Sequence, residues 1–143
     1  MATRAIIAKL DDKGVQAIYS HSDNYLAHTG KILDEHYRDE SKVNELLAHG
    51  DVSIIDENIG VKIDFNDYKL RAANKQCLFY ARDRGEKYKQ AEQLEDESAL
   101  LKHAFEYYDV DLVYMYAFGY WYVYDANNNN RFVELEDELY VLK

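Results

Sequence analysis

The sequence predicts an α+β domain: an antiparallel sheet built from N- and C-terminal hairpins, with about three helices packed on one face. Three observations point there. Runs of β-branched and aromatic residues sit at both ends of the chain, apolar residues at helical spacing occupy the middle, and turn residues separate the two kinds of segment. With 143 residues, 48% of them hydrophobic, the chain matches one ordinary domain, 1–143, with one core. No internal repeat or linker divides it.

Ala2–Leu10 and Val15–His21 are the first two strands, and Asp11-Asp12-Lys13-Gly14 between them suits a tight hairpin turn. Over Tyr25–Tyr37 the period changes: Leu26, Ile32, Leu33 and Tyr37 fall near one helical face, giving the first helix. A second short helix is capped by Ser41, carries Val43, Leu46 and Leu47 as its stripe and closes at His49-Gly50. Asp51–Asn74 has no readable period. Gln76–Ala81 (QCLFYA) reads as a buried strand, and Ala91–Tyr108 as the third and longest helix, with Leu94, Leu101, Ala104, Phe105 and Tyr108 on one stripe. Asp111–Phe118, Tyr120–Ala126 and Arg131–Leu135 are strands, the first two joined at Gly119 and the last two by the asparagine turn Asn127–Asn130.

Charge is distributed in blocks. The chain carries −10 overall. From Asp34 to Glu57 eight acidic residues face only Arg38 and Lys42, whereas from Lys62 to Lys89 eight basic residues face four acidic ones. From Glu92 to Asp111 acid dominates again, opposed by Lys102. Binding to nucleic acid rests on neutralising phosphate, so direct nucleic-acid binding is not expected. A basic partner, or a protein that itself grips nucleic acid, fits better; solvated helix faces would leave the same pattern. No apolar run approaches the roughly 20 residues of a membrane span, and no charged-then-apolar leader opens the chain, so the expectation is a soluble, cytoplasmic protein without membrane association. The single cysteine, Cys77, lies in an apolar run and reads as a small buried hydrophobe.

Within IYSHSDNYLAHTGKILDEHY, Ile18–Tyr37, three histidines crowd near three carboxylates. His21, Asp23 and His28 could in principle surround one ion. The spacing lacks the two-ligand helical turn of a specific zinc motif, so no metal and no cofactor are expected, and the segment reads as the joint between strand and helix. Glycine-rich phosphate loops, nucleophile elbows and cysteine–histidine pairs are absent from the sequence. The carboxylates of RFVELEDELYVL read as a solvated edge.

Alternation places Tyr114, Tyr116 and Phe118 on one side of their strand, and Tyr120, Tyr122 and Tyr124 on one side of the next. The pair reads as a tyrosine wall. Such a wall either packs beneath helices or forms an apolar patch for self-association, and on the second reading a homo-oligomer is expected.

ATRAIIA, IYSHSDNY, GKILDEHY, KVNELLAHGDVS, FYARDRGE and YWYVYD together resemble a family of small, mostly uncharacterised proteins encoded by bacteriophages and prophages. The resemblance spans nearly the whole chain. The family pattern Tyr-x-His-Trp-Asp-Gly-Tyr is altered here, Ser22 and Asn24 replacing its tryptophan and glycine. The resemblance implies a phage accessory protein in the cytoplasm of an infected bacterial host, and small acidic phage proteins include anti-CRISPR proteins and sponges for immune signal nucleotides.

Two functions follow as expectations. One is a non-enzymatic counter-defence inhibitor that binds a nucleic-acid-handling host defence protein through Asp34, Glu35, Asp39, Glu40 and Glu45. The alternative is a binder or processor of a signal nucleotide, with Arg82 and Arg84 holding phosphate and Tyr114, Tyr116 or Tyr122 stacking on the base. A turn whose arginines pair with Asp83, Glu86 or the acidic helices would account for Arg82 and Arg84 equally simply.

Overall fold

The computed structural model describes residues 3–128 and 130–142. Among them, eight strands form one sheet in the order β4-β3-β2-β1-β6-β7-β8, with β5 also pairing β2. β1 (Ala5–Asp11) and β2 (Gly14–Ser22) make the antiparallel hairpin that the sequence predicts, with Asp11 opposite Gly14 across the turn. Gly14 adopts φ +116°, a conformation that favours glycine. β1 then pairs in parallel with β6 (Leu112–Ala117), and β2 in parallel with β3 (Val52–Ile54). The sheet is therefore mostly antiparallel but is not made of hairpins alone. β4 (Leu78–Phe79) borders β3, while β7 (Tyr120–Asp125) and β8 (Phe132–Glu134) continue from β6.

Both faces of the sheet are covered, which corrects the expectation of helices on one face. Ala5 through Ala8 are fully buried, as the apolar run AIIA requires of a central strand with a core on each side. On the first face, Ile7, Ile18, Tyr114 and Trp121 meet Leu33, Tyr37, Leu46 and Leu47. Those partners come from α1 (Lys31–His36), its flanking Tyr37, and α2 (Glu40–Ala48). On the second face, Ile6, Ala8, Val15, Val113 and Met115 meet Leu100 of α4 (Glu97–Lys102) and Ala104 of the π turn His103–Tyr107 that continues it.

Five α-helices among the described residues replace the expected three. α3 (Tyr68–Asn74) lies in the stretch without readable period and has no buried residue, so it carries no apolar stripe to read. α5 (Leu135–Val141) occupies the acidic stretch read as a solvated edge, and only Leu135 is buried. The third predicted helix starts too early, because Glu92–Leu94 forms β5 against Ala17–Val15 and Asp96 then caps α4 through the Ala99 N–H at 2.9 Å. The first helix begins as a π turn, Leu26–Gly30. Asp39, not Ser41, caps α2.

The tyrosine wall is split between the two cores. Tyr114 lies opposite Val123 and Tyr116 opposite Trp121, whereas Met115 lies opposite Tyr122 and Val113 opposite Tyr124. The two-residue turn Phe118-Gly119 puts Tyr120 across from Ala117, so the tyrosines of β7 share a face with the non-tyrosine positions of β6. Tyr114 and Tyr116 are buried, Tyr122 and Tyr124 are half-buried and Tyr120 is exposed, so these residues do not form one continuous wall.

Candidate functional site

The histidine and carboxylate cluster at the end of β2 resolves into a hydrogen-bonded joint. Asp23 takes a positive φ of 57°, which turns the chain out of the strand. Asn24 then enters the interior, fully buried. Its Nδ2 donates to the carbonyls of Thr3 and Ser20, both at 3.0 Å, while its Oδ1 accepts from Ser20 Oγ (2.8 Å) and Thr29 Oγ1 (3.0 Å). The Tyr114 hydroxyl, held protonated because burial pushes its pKa up, donates to the Asn24 carbonyl at 2.7 Å. His28 Nδ1 lies 2.8 Å from the Asp23 carbonyl and His21 Nδ1 lies 2.8 Å from the Tyr19 hydroxyl. Each histidine thus has a local partner, and among the described residues no three His, Cys, Asp or Glu side chains converge as metal donors. The residue that organises the joint is Asn24, and its burial depends on strands distant in sequence.

Arg82 and Arg84 do not meet the tyrosines assigned with them. Arg82 turns inward: its Nε donates to Asp83 Oδ1 (3.0 Å), and its Nη groups donate to the carbonyls of Gly60 and Cys77, each at 3.2 Å. Asp83, whose side chain is wholly buried, also accepts from the Phe79 and Ile63 N–H groups at 2.8 and 3.1 Å. Arg84 stays at the surface beside Glu86 at 3.3 Å, with its guanidinium over the Phe65 ring. Tyr116 donates to the Arg38 carbonyl at 2.9 Å, and Tyr122 belongs to the opposite face. Both arginines follow β4, which lies four strand spacings from β6, roughly 19 Å.

Three of the predicted acidic residues, Asp34, Glu35 and Glu40, gather at one end of the sheet. β1 and β6 run parallel, so their turns emerge at the same end of the sheet. The Phe118-Gly119 turn stands there between two hollows. One is lined by Asp11, Asp12 and Glu40 with Lys9 and Lys13; the other by Asp34, Glu134 and Glu136 with Arg38. A neighbouring groove between α1 and α5 continues the band with Glu35 and Lys31. Phe118 is 75% exposed and Tyr120 61% exposed at the centre. Phe118 also has φ +54°, an unusual conformation for a bulky residue, which Gly119 at +91° accompanies in the tight turn.

The predicted acidic residues are not equivalent. Asp34 holds Arg38 at 3.1 Å, and Glu40 lies 3.7 Å from Lys9. Asp39 accepts from the Ser41 N–H at 3.0 Å as the cap of α2. Glu35 is half exposed and lies 3.8 Å from His36. Glu45 is exposed a turn further along α2, where its charge is felt by Tyr37 and His49. Glu134 and Glu136 were missed as partners of this band. A change of period at Leu135, hidden by the short stripe of α5, was the available signal.

Among the described residues no helix is long and apolar enough to cross a membrane. Compared with protein-family models, with curated proteins and with solved structures, the chain matches none.

Proposed function

We propose that this chain is a bacteriophage accessory protein, a non-enzymatic counter-defence inhibitor of the anti-CRISPR kind, that engages a nucleic-acid-handling host defence protein through its acidic end. The observation that carries the reading is the convergence of carboxylates from the β1–β2 turn, α1, α2, β8 and α5 around the exposed Phe118 and Tyr120. A defence protein that grips nucleic acid presents a basic groove. Carboxylates would steer the inhibitor to that groove, and a central aromatic pair would supply the buried contact that most interfaces depend on. The phage assignment itself rests on the sequence resemblance. The signal-nucleotide reading has less support, because Arg82 is committed to Asp83 and two backbone carbonyls.

The test is binding to such a defence complex, together with phage growth on a host that carries it. Glu35→Lys combined with Glu136→Lys, and Phe118→Ala separately, are expected to weaken binding and protection without unfolding the protein. Binding should also fall as salt rises, since the Debye length is only about 8 Å at physiological ionic strength, and it should compete with DNA or RNA. Protection that survives these changes but is lost in Arg84→Ala would replace this reading with the nucleotide one.

A further inference from the structure

Among the described residues β5 is a strand edge without a second partner strand, paired with β2 alone. One close approach gives the direction of its backbone groups. A Cβ built on Gly14 would stand 2.7 Å from the Leu94 carbonyl oxygen, so that carbonyl points toward β2. In a strand the N–H and C=O of one residue share a side and alternate with those of its neighbours. The N–H and C=O of Gln93 therefore point away from β2, and among the described residues no backbone hydrogen bond outside the ladder involves them. The Gln93 side chain is exposed and folds back along its own strand, its Nε2 donating to the Ala91 carbonyl at 3.4 Å.

An apolar shelf lies beside this edge, in a shallow hollow of about 450 Å³ lined by Leu94, Ala99, Lys102, His103, Glu106 and Tyr107. Tyr107 is 73% exposed, and its ring is stacked on His103 with centroids 5.5 Å apart. Around the shelf and edge acid outweighs base: Glu92, Glu95, Asp96, Glu97 and Glu106 are opposed by Lys102 and by Lys89, whose charge reaches Glu92 and His103 and whose Nζ lies 3.3 Å from the Tyr108 hydroxyl.

We propose that this edge and shelf receive an extended, cationic segment of a partner protein by strand addition. The segment's main chain would bond to the Gln93 N–H and C=O, alternate side chains would cover Leu94 and Tyr107, and lysines or arginines would meet Glu92, Glu95 and Glu106. Main-chain bonds supply affinity in this mode and alternate side chains supply specificity. Charge selects the occupant. A second copy of this chain paired on the same edge would bring its own glutamates against these, and like charges opposite each other across strands are destabilising. The surface belongs to β5, α4 and the π turn that continues α4, so the inference stands independently of the acidic end.

A capped peptide of alternating lysine and valine, compared with one of alternating glutamate and valine, provides the probe, read by amide NMR on the full chain. The lysine peptide is expected to shift the Gln93 amide and slow its exchange, and the glutamate peptide to bind about tenfold more weakly or worse, a difference of ~1.4 kcal/mol. Gln93→Pro removes the outward donor but no β2 ladder bond, a placement that proline tolerates on edges. It should weaken the lysine peptide about as much, with the Glu92 and Leu94 amides still protected, and Tyr107→Ala should weaken it through the shelf alone. Lysine-peptide binding that is absent, or unchanged in both variants, overturns the proposal. So does a Gln93 amide already protected in a chain whose scattering mass is that of two copies, because the occupant is then the chain itself.

Discussion

The basic segment around Arg82 and the acidic end around Phe118 both draw on charged stretches visible in the sequence, yet the fold uses them in opposite ways. Arg82 and Asp83 are spent on the backbone: between them they bond two N–H groups, of which that of Phe79 is buried, and the carbonyls of Gly60 and Cys77. Asp34 and Glu35 of α1 and Glu136 of α5 line open hollows, and Asp34 and Glu35 contact Arg38 and His36 at the surface. A run of like charge therefore measures composition and not availability. Availability depends on whether backbone polar groups nearby need the charge more than solvent does.

Breaking the buried half of this contrast should have the largest effect. Asp83→Ala leaves the Arg82 guanidinium and the Phe79 and Ile63 N–H groups without their acceptor, and breaking a buried pair in this way costs about 3–5 kcal/mol. Chemical denaturation would register that loss. Arg84→Ala, in the same loop but exposed, should change stability by less than about 1 kcal/mol. Equal effects from the two substitutions would contradict the distinction.

A smaller effect separates the acids from one another. Asp39→Ala removes the α2 cap and should cost about 1 kcal/mol, whereas Glu45→Ala, exposed on the same helix, should be close to neutral. The same measurement sharpens the functional test, because a binding defect in an Asp39 variant mixes lost charge with a frayed helix. Glu35, Glu45 and Glu136 are cleaner positions.

The smallest predicted effect links the basic loop to pH. His49 stacks on Phe79 with centroids 4.5 Å apart, and burial, reinforced by the Arg82 charge, lowers its pKa. The folded state thus favours neutral His49, and its contribution to stability is present above the unfolded value of about 6.5. That contribution is lost as pH falls through the lower folded value. Thermal melts between neutral and mildly acidic pH should show a shallower decline in His49→Gln than in the parent chain. An identical slope would remove His49 from the account.

The sequence by itself determined the local elements that have a strong period or a turn signal. AIIA and the VQAIYSH run form the first hairpin because alternation, Asp11 and Gly14 all act over a few residues. Val43, Leu46 and Leu47 mark α2 in the same way, and all three are buried. Tertiary structure decided what depends on partners remote in the chain. Glu92–Leu94 is a strand because β2 offers it an edge, although its residues alone continue a helical stripe. The parallel pairing of β1 with β6 sets two turns side by side and so assembles the acidic end from segments more than 100 residues apart. Asn24 became the centre of the joint, and Arg82 an internal brace, through the same cause: buried backbone groups must find hydrogen-bond partners, and which groups are buried is known only once the sheet and its two covering layers have closed.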